Sequence, residues 1–332
     1  MTLDPPPPLS EARFIANHTP RERSLWRVVV TLLAGAVGGV VVALVTGIVA
    51  LVLVVVATGG FDGDLRTLPQ HILALLNDDG KTIKSALGLL TLAVFTNGPM
   101  AATFIAVAAL IAGVSARRYV TIAPKIRWRL LVSGLLLSVV VIGPLVLAGQ
   151  LFDSHAPPAP MLNLATDWPS RIGYALACIA LLIPAAAAEE IVFRGWLLRE
   201  SATLSRNPVF LMAVNGILFS ALHNDFAPDA FLMRALMGAG FVYMTLRLGG
   251  IEFSTGAHAA NNILIVLFIQ PLSLKPTASG GLGLDSLAQA VFLFVSYLLM
   301  AEVVARWPLL RRWSGADQLP GLATTAVAEH FS

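Results

Sequence analysis

Six ionisable side chains stand where so apolar a chain has little reason to carry them: Glu189, Glu190, Arg194, His223, Arg234 and His258. Each falls in or at the end of a hydrophobic run, in company with Asn215, Asn261 and Asn262. Inside a bilayer an ionised group costs at least ~2.5–3.5 kcal/mol on insertion scales, so each invites a functional reading. The types suit proton transfer and the stabilisation of negative charge: carboxylates and imidazoles exchange protons, while amides and imidazoles donate hydrogen bonds.

Spacing sorts these residues. In Ala-Ala-Ala-Ala-Glu189-Glu190-Ile-Val-Phe-Arg194, positions four apart share a helix face, so Arg194 lies over Glu190 and neutralises it. Glu189 is turned about 100° away and has no local partner. A plain ion pair that lets a polar helix insert accounts for Glu190 and Arg194 but leaves Glu189 unexplained. His223 closes Phe219-Ser-Ala-Leu-His223; taken alone, it reads as an interfacial histidine. His258 and Asn262 share a face in His258-Ala-Ala-Asn261-Asn262, where a pair of this kind also serves as interhelical glue worth roughly 0.6–2 kcal/mol.

These residues must be positioned by membrane helices. Of 332 residues 57% are apolar and only 12% charged, against about 25% in soluble domains. With a mean hydropathy of +0.79, the chain lacks the polar surface of a cytosolic globule. The same composition excludes a disordered protein, and a net charge of +3 is too small to track a nucleic-acid backbone. The single cysteine, Cys178, lies in an apolar run, which leaves no disulfide framework and no cysteine metal site.

A span needs roughly 20 apolar residues. Eight segments come near that length: Leu25–Thr58, Ser85–Ala112, Leu130–Phe152, Arg171–Leu198, Pro208–Leu222, Ala230–Leu248, Glu252–Gln270 and Leu287–Arg306. The expected fold class is therefore all-α and polytopic. The chain divides into a Pro-rich tail (1–24), three scaffold spans (25–170), a polar core of helices (171–270), a last span (271–306) and a second tail (307–332). No internal repeat is visible. The first span is too long for a signal-peptide core, and Asp4, Glu11 and Glu22 precede it.

Arg117, Arg118, Lys125, Arg127 and Arg129 crowd the loop after the second span, whereas the loop after the third holds Asp153 and Asp167 and no lysine or arginine before Arg171. By the positive-inside rule both termini are expected in the cytoplasm. The first loop votes weakly against this, because Arg66, Lys81 and Lys84 lie there beside four aspartates. All six tryptophans (Trp26, Trp128, Trp168, Trp196, Trp307 and Trp313) fall at or near segment ends, as an interfacial belt requires. Counted from the cytoplasmic helix ends at 1.5 Å per residue, Glu189, His223, His258 and Asn262 lie ~15, ~22, ~9 and ~15 Å deep. Side chains spread over that range can form one polar cluster.

Glu-Glu-x-x-x-Arg at 189–194, Phe-x-x-x-His at 219–223 and His-x-x-x-Asn at 258–262, in this order on successive apolar helices, resemble the motifs of the CPBP family. That family comprises the CAAX proteases and bacteriocin-processing enzymes, also called the abortive-infection family, and includes the type II CAAX prenyl endopeptidases. The resemblance covers about residues 171–270, and the layout of eight spans suits it. It implies an intramembrane endopeptidase, a hydrolase acting on a peptide bond of a membrane-associated or lipidated substrate. Carried over, Glu189 is the general base, His223 its partner, and His258 and Asn262 stabilise the oxyanion, with Glu190, Arg194 and Phe219 in support.

The family is often labelled metalloprotease, and Glu189, His223 and His258 would be the zinc ligands if an ion were bound. Asn262 is a poor zinc ligand and Arg194 opposes a dication, so catalysis without a cofactor is favoured. His-Glu-x-x-His, rhomboid-like Gly-x-Ser-Gly and presenilin-like Gly-x-Gly-Asp are all absent. The expected partners are a peptide or protein substrate in the membrane and the lipid bilayer, with no nucleic acid. An Ala- and Val-rich chain fits a bacterial inner membrane. Two other classes stay open: a non-catalytic scaffold or sensor, and a proton-coupled transporter with Glu189 as its relay, though the latter expects repeated halves.

Overall fold

The structure is a computed structural model that describes residues 8–16, 18–59, 63–152, 157–273 and 281–318. Among these residues the regular structure is all helical, apart from an isolated bridge between Thr121 and Gly250. Eight helices answer to the eight apolar segments. They are α1 (Leu25–Ala57), α2 (Ile83–Ala112), α3 (Trp128–Phe152), α4 (Trp168–Glu190), α5 (Pro208–Ala221), α6 (Pro228–Leu248), α7 (Glu252–Leu264) and α8 (Leu284–Arg306). The protein is an all-α polytopic membrane protein.

Local chemistry sets several boundaries. Asp167 caps α4 by accepting from the Ser170 N–H, and Asn207 caps α5 by accepting from Val209 and Phe210, each with proline in the first turn. Thr82 and Ser85 form a reciprocal capping box at the start of α2. α4 does not stop at Glu190. It widens into a π-helical stretch, Ile191–Leu197, and runs on as Leu198–Leu204. α7 likewise passes into a π-turn, Ile265–Ile269. Such turns are rare and often mark functional sites.

Among the described residues, six helices are long and apolar enough to cross a bilayer, counting α4 with its continuation to Leu204. α5 has only 14 residues. α7 is long enough with its π-turn but is sheathed in protein: Glu252 through Asn261 are all buried. α1 is its opposite, with Leu33, Val37, Leu44 and Ile48 each about 60% exposed, an apolar surface suited to lipid.

Small residues let the polar helices approach. A Cβ at Gly256 of α7 would strike the Leu131 carbonyl of α3, and one at Gly134 of α3 would strike the Phe253 carbonyl of α7. Gly216 of α5 meets the Ala235 carbonyl of α6 in the same way. Backbone approach of this kind supplies packing between helices where lipid removes the hydrophobic drive. At its start α7 is also pinned by a buried ion pair, Arg127 Nη2 to Glu252 Oε2 at 2.7 Å, while Arg127 Nη1 donates to the Leu248 carbonyl at 2.8 Å.

Three expectations change. The stretch read as a Pro-rich tail folds once it passes the proline run: Leu9–Glu11 and Arg13–Ala16 form short helical turns, with Phe14 and Ile15 fully buried beside Leu198 and Val242. Trp196 is not part of an interfacial belt. It is buried inside the long α4 helix and packs edge-on against Phe104 at 4.9 Å, whereas the other five tryptophans are 46–68% exposed. The first loop contains an unforeseen helix, Leu68–Asp78. Asp153, used above to judge orientation, lies outside the described residues.

Candidate active site

The three motifs meet. Glu189 and Glu190 end the regular part of α4, His223 sits in the turn just past α5, and His258 lies midway along α7. Glu189 Oε2 is 3.9 Å from His223 Nε2 and 3.8 Å from His258 Nε2. That oxygen is buried without a hydrogen-bond partner among the described residues. Three helices thus aim one carboxylate oxygen and two imidazole nitrogens at the same point.

Each ring is held from behind. His223 Nδ1 lies 2.8 Å from the Phe219 carbonyl, and His258 Nδ1 lies 3.0 Å from Glu190 Oε1. Both partners are acceptors, so each Nδ1 is the donor on that side and each ring turns its Nε2 toward Glu189. Phe-x-x-x-His is therefore a geometric unit: one helical turn places the Phe219 carbonyl where it orients the His223 ring. The Phe219 side chain is fully buried against both imidazoles, with ring centroids 4.7 Å from His223 and 5.8 Å from His258.

Beneath this layer lies a charged one. Arg194 Nη1 meets Glu190 Oε1 at 2.9 Å, and both side chains are completely buried. Arg194 Nη2 donates to the Gly238 carbonyl at 3.2 Å. Its guanidinium carbon lies 4.2 Å from the Phe219 ring centre, 5.1 Å from Phe241 and 5.7 Å from Phe193. A desolvated cation within ~6 Å of three ring centres gains attraction from their quadrupoles. Glu190 therefore pairs with Arg194, as the spacing predicts, and also receives His258, a link the spacing leaves invisible.

Glu189 and His223 form a wall shared by two cavities. One, of about 470 Å³, is bounded by α3, α6, α7 and α8 and reaches His258, Asn261 and Asn262. Its apolar walls include Leu145, Met233 and Phe292, and its polar groups include Asp225, Arg234, Gln270 and Gln289. The other, of about 360 Å³, lies between α2, α4 and α5 and is lined by Asn97, Met100, Val192 and Leu222. Asn262 is half-buried, and its Oδ1 accepts from Asn261 Nδ2 at 3.5 Å.

Sequence reading missed Gln270, Gln289 and Asp225 as lining residues. Only Asp225 left a signal, as a carboxylate two positions past His223. Arg234 donates to its Oδ2 at 2.6 Å and to its carbonyl at 3.2 Å, which fastens the turn that carries His223. The Arg234 donor holds the Asp225 carboxyl below the usual carboxylate range. Asn215 is buried but remote from both cavities' linings, bonding the Leu211 carbonyl and Ser201.

Glu189, His223 and His258 are zinc-type donors, and the Nδ1 contacts resemble the supports metal-bound histidines have. Their spacing does not fit. Atoms bound tetrahedrally at about 2.0–2.1 Å from an ion lie roughly 3.3–3.4 Å apart, closer than the observed 3.8 and 3.9 Å. Among the described residues no group of three or more His, Cys, Asp or Glu is placed to hold a metal ion.

Comparison with known proteins finds one match to a family description, type II CAAX prenyl endopeptidase Rce1-like, over residues 171–264. All three motifs lie inside that stretch. A Bacillus subtilis (strain 168) protein named uncharacterized protein YyaK is 34% identical over 160 residues, which cover 46% of this chain and 52% of that protein. The chain thus spans about half the length of this curated relative. No solved structure matches. Over residues 171–264, the segment that builds the cluster, the chain is similar to the type II CAAX prenyl endopeptidases, the resemblance its three motifs carry.

Proposed function

We propose that this protein is an intramembrane endopeptidase that hydrolyses a peptide bond of a membrane-associated or lipidated substrate without a metal. The observation that carries the reading is the convergence of Glu189 Oε2 with the Nε2 atoms of His223 and His258 at the wall between two cavities. Gaps of 3.8 and 3.9 Å exceed a direct hydrogen bond and suit a bridging water. As that water's oxygen attacks the scissile carbonyl carbon, Glu189 takes its proton and the carbonyl oxygen becomes an oxyanion. Asn262 and His258 face that oxyanion from α7. When the C–N bond breaks, the proton passes to the leaving amine, with His223 orienting the Glu189 carboxyl for both transfers. A preset donor can contribute ~2.7–4 kcal/mol to such a step.

The apolar cavity walls suit hydrocarbon or apolar side chains, and the polar groups near Asn261 and Asn262 suit a peptide backbone. In this reading the protein lies in a bacterial inner membrane with both termini in the cytoplasm. The test compares membrane peptidomes from cells expressing the wild type or Glu189→Gln. The near-isosteric amide cannot accept the water proton, so cleavage products should disappear while thermal stability stays within about a degree. Cleavage should survive exhaustive chelation, with well under one zinc per chain. Unchanged cleavage by Glu189→Gln refutes the role of Glu189. Stoichiometric zinc whose removal and return switch activity off and on refutes the metal-free mechanism.

A further inference from the structure

Away from the candidate active site, a cavity of about 440 Å³ opens between the N-terminal segment, the connection after α2 and the far end of the α4 helix. Four guanidinium groups line it: Arg13 from the first, Arg117 and Arg118 from the second, and Arg199 from the third. Thr19, Ser115 and Thr121 join them, and the lining contains no carboxylate. Glu22, outside the lining, is buried and shared, with Arg199 Nη2 at 2.7 Å and Arg118 Nη2 at 3.6 Å from its carboxylate. Burial and the Arg199 charge both push the His18 imidazole toward its neutral form, as expected beside concentrated positive charge.

We propose that this cavity binds a phosphate-bearing anion, gripped by Arg117 and Arg118 on one side and Arg13 on the other. Guanidinium forks match phosphate oxygens in paired hydrogen bonds, and three hydroxyl-bearing residues complete a polar wall. Arg117 is exposed and Arg118 half-exposed, so both are accessible to a ligand. Occupancy joins three separate stretches of chain, one of them the helix that carries Glu189 ten positions before Arg199. Two sources share this chemistry: the head group of an anionic phospholipid, and free phosphate. Basic pockets between membrane helices on the cytoplasmic side are typical head-group sites.

The test follows thermal unfolding of the full chain purified in neutral detergent. Inorganic phosphate is compared with chloride at equal ionic strength, and short-chain phosphatidylglycerol with short-chain phosphatidylcholine. A ligand that binds only the folded state raises Tm by mass action, here by a few degrees over its matched control. The rise should vanish in Arg117→Gln/Arg118→Gln and persist in Lys125→Gln, which removes a charge from the same connection outside the cavity. A rise with inorganic phosphate assigns the site to the phosphate group alone; a rise confined to phosphatidylglycerol assigns it to the lipid. No rise in either arm, or one that survives the double substitution, overturns the proposal. If the double variant does not fold, Arg13→Gln takes its place, and native mass spectrometry of the wild type must then show bound phosphatidylglycerol or phosphate; finding neither overturns it.

Discussion

Glu190 does three things through one carboxylate: it neutralises Arg194, anchors the α4 helix where it turns π-helical, and fixes the tautomer of His258. The last has a chemical consequence. With Nδ1 facing a carboxylate, His258 donates from Nε2 only when both ring nitrogens are protonated, so its part in oxyanion stabilisation requires the imidazolium, and Asn262 is the donor that needs no proton. Breaking a buried pair by removing one partner costs ~3–5 kcal/mol, because the other charge is left stranded. Glu190→Gln is therefore expected to lower the melting temperature and expression markedly, and Arg194→Met to do so similarly by leaving Glu190 unpaired. Differential scanning fluorimetry of the two variants beside Glu189→Gln checks this. A stable but inactive Glu190→Gln, with Glu189→Gln cleaving normally, would reverse the roles assigned to the two carboxylates.

At the scale of elements, α7 reaches the site because glycine lets it. Gly256→Leu places a branched side chain against the Leu131 carbonyl and must push α3 and α7 apart, which displaces His258 two positions along the helix. The variant should lose several degrees of melting temperature and all cleavage, whereas Gly149→Leu, at a glycine whose Cβ would meet no atom within 4 Å, should be tolerated. The N-terminal segment is a second element with a definite test. Burial alone would raise the Glu22 carboxyl, but Arg199, the Thr19 N–H and Arg118 outweigh it and hold it below its ordinary value. A depressed carboxyl contributes stability above its unfolded pKa of about 4.3, lost as pH falls through the folded value. His18, also lowered, is held neutral and begins to oppose folding as pH falls below about 6.5. Docking of the segment that carries His18 and Glu22 should thus weaken in two steps on acidification. Limited proteolysis near Arg13 should accelerate below pH 6 in the wild type, with the first step absent in His18→Gln.

The whole molecule sets an exposed apolar helix, α1, against α2 and a polar core sheathed by other helices. The orientation expected from the loops rests on the basic stretch from Arg117 to Arg129. A reporter fused after Lys125 should score cytoplasmic and one after Asp167 external; the opposite pattern inverts the topology.

Although the short helix Leu68–Asp78 was not legible in the sequence, the eight apolar helices were, because a bilayer demands long apolar runs. So was the Glu190–Arg194 pair, since residues four apart on one helix meet whatever the rest of the fold does. The identity of the cluster residues could be read too, because a buried charge has no cheap structural explanation. Their meeting could not: Glu189, His223 and His258 lie on three helices, and their separation depends on backbone crossings at Gly134, Gly216 and Gly256 that periodicity does not encode. The same is true of the Glu190–His258 contact and of the Arg194 guanidinium among Phe193, Phe219 and Phe241. Trp196 shows the limit most plainly. A tryptophan near a segment end reads as interfacial from sequence, but the helix runs on past it to Leu204, and its neighbour in space, Phe104, lies 92 positions away in the chain. Local sequence fixes which residues share a face of one helix, and only packing among helices decides what that face meets.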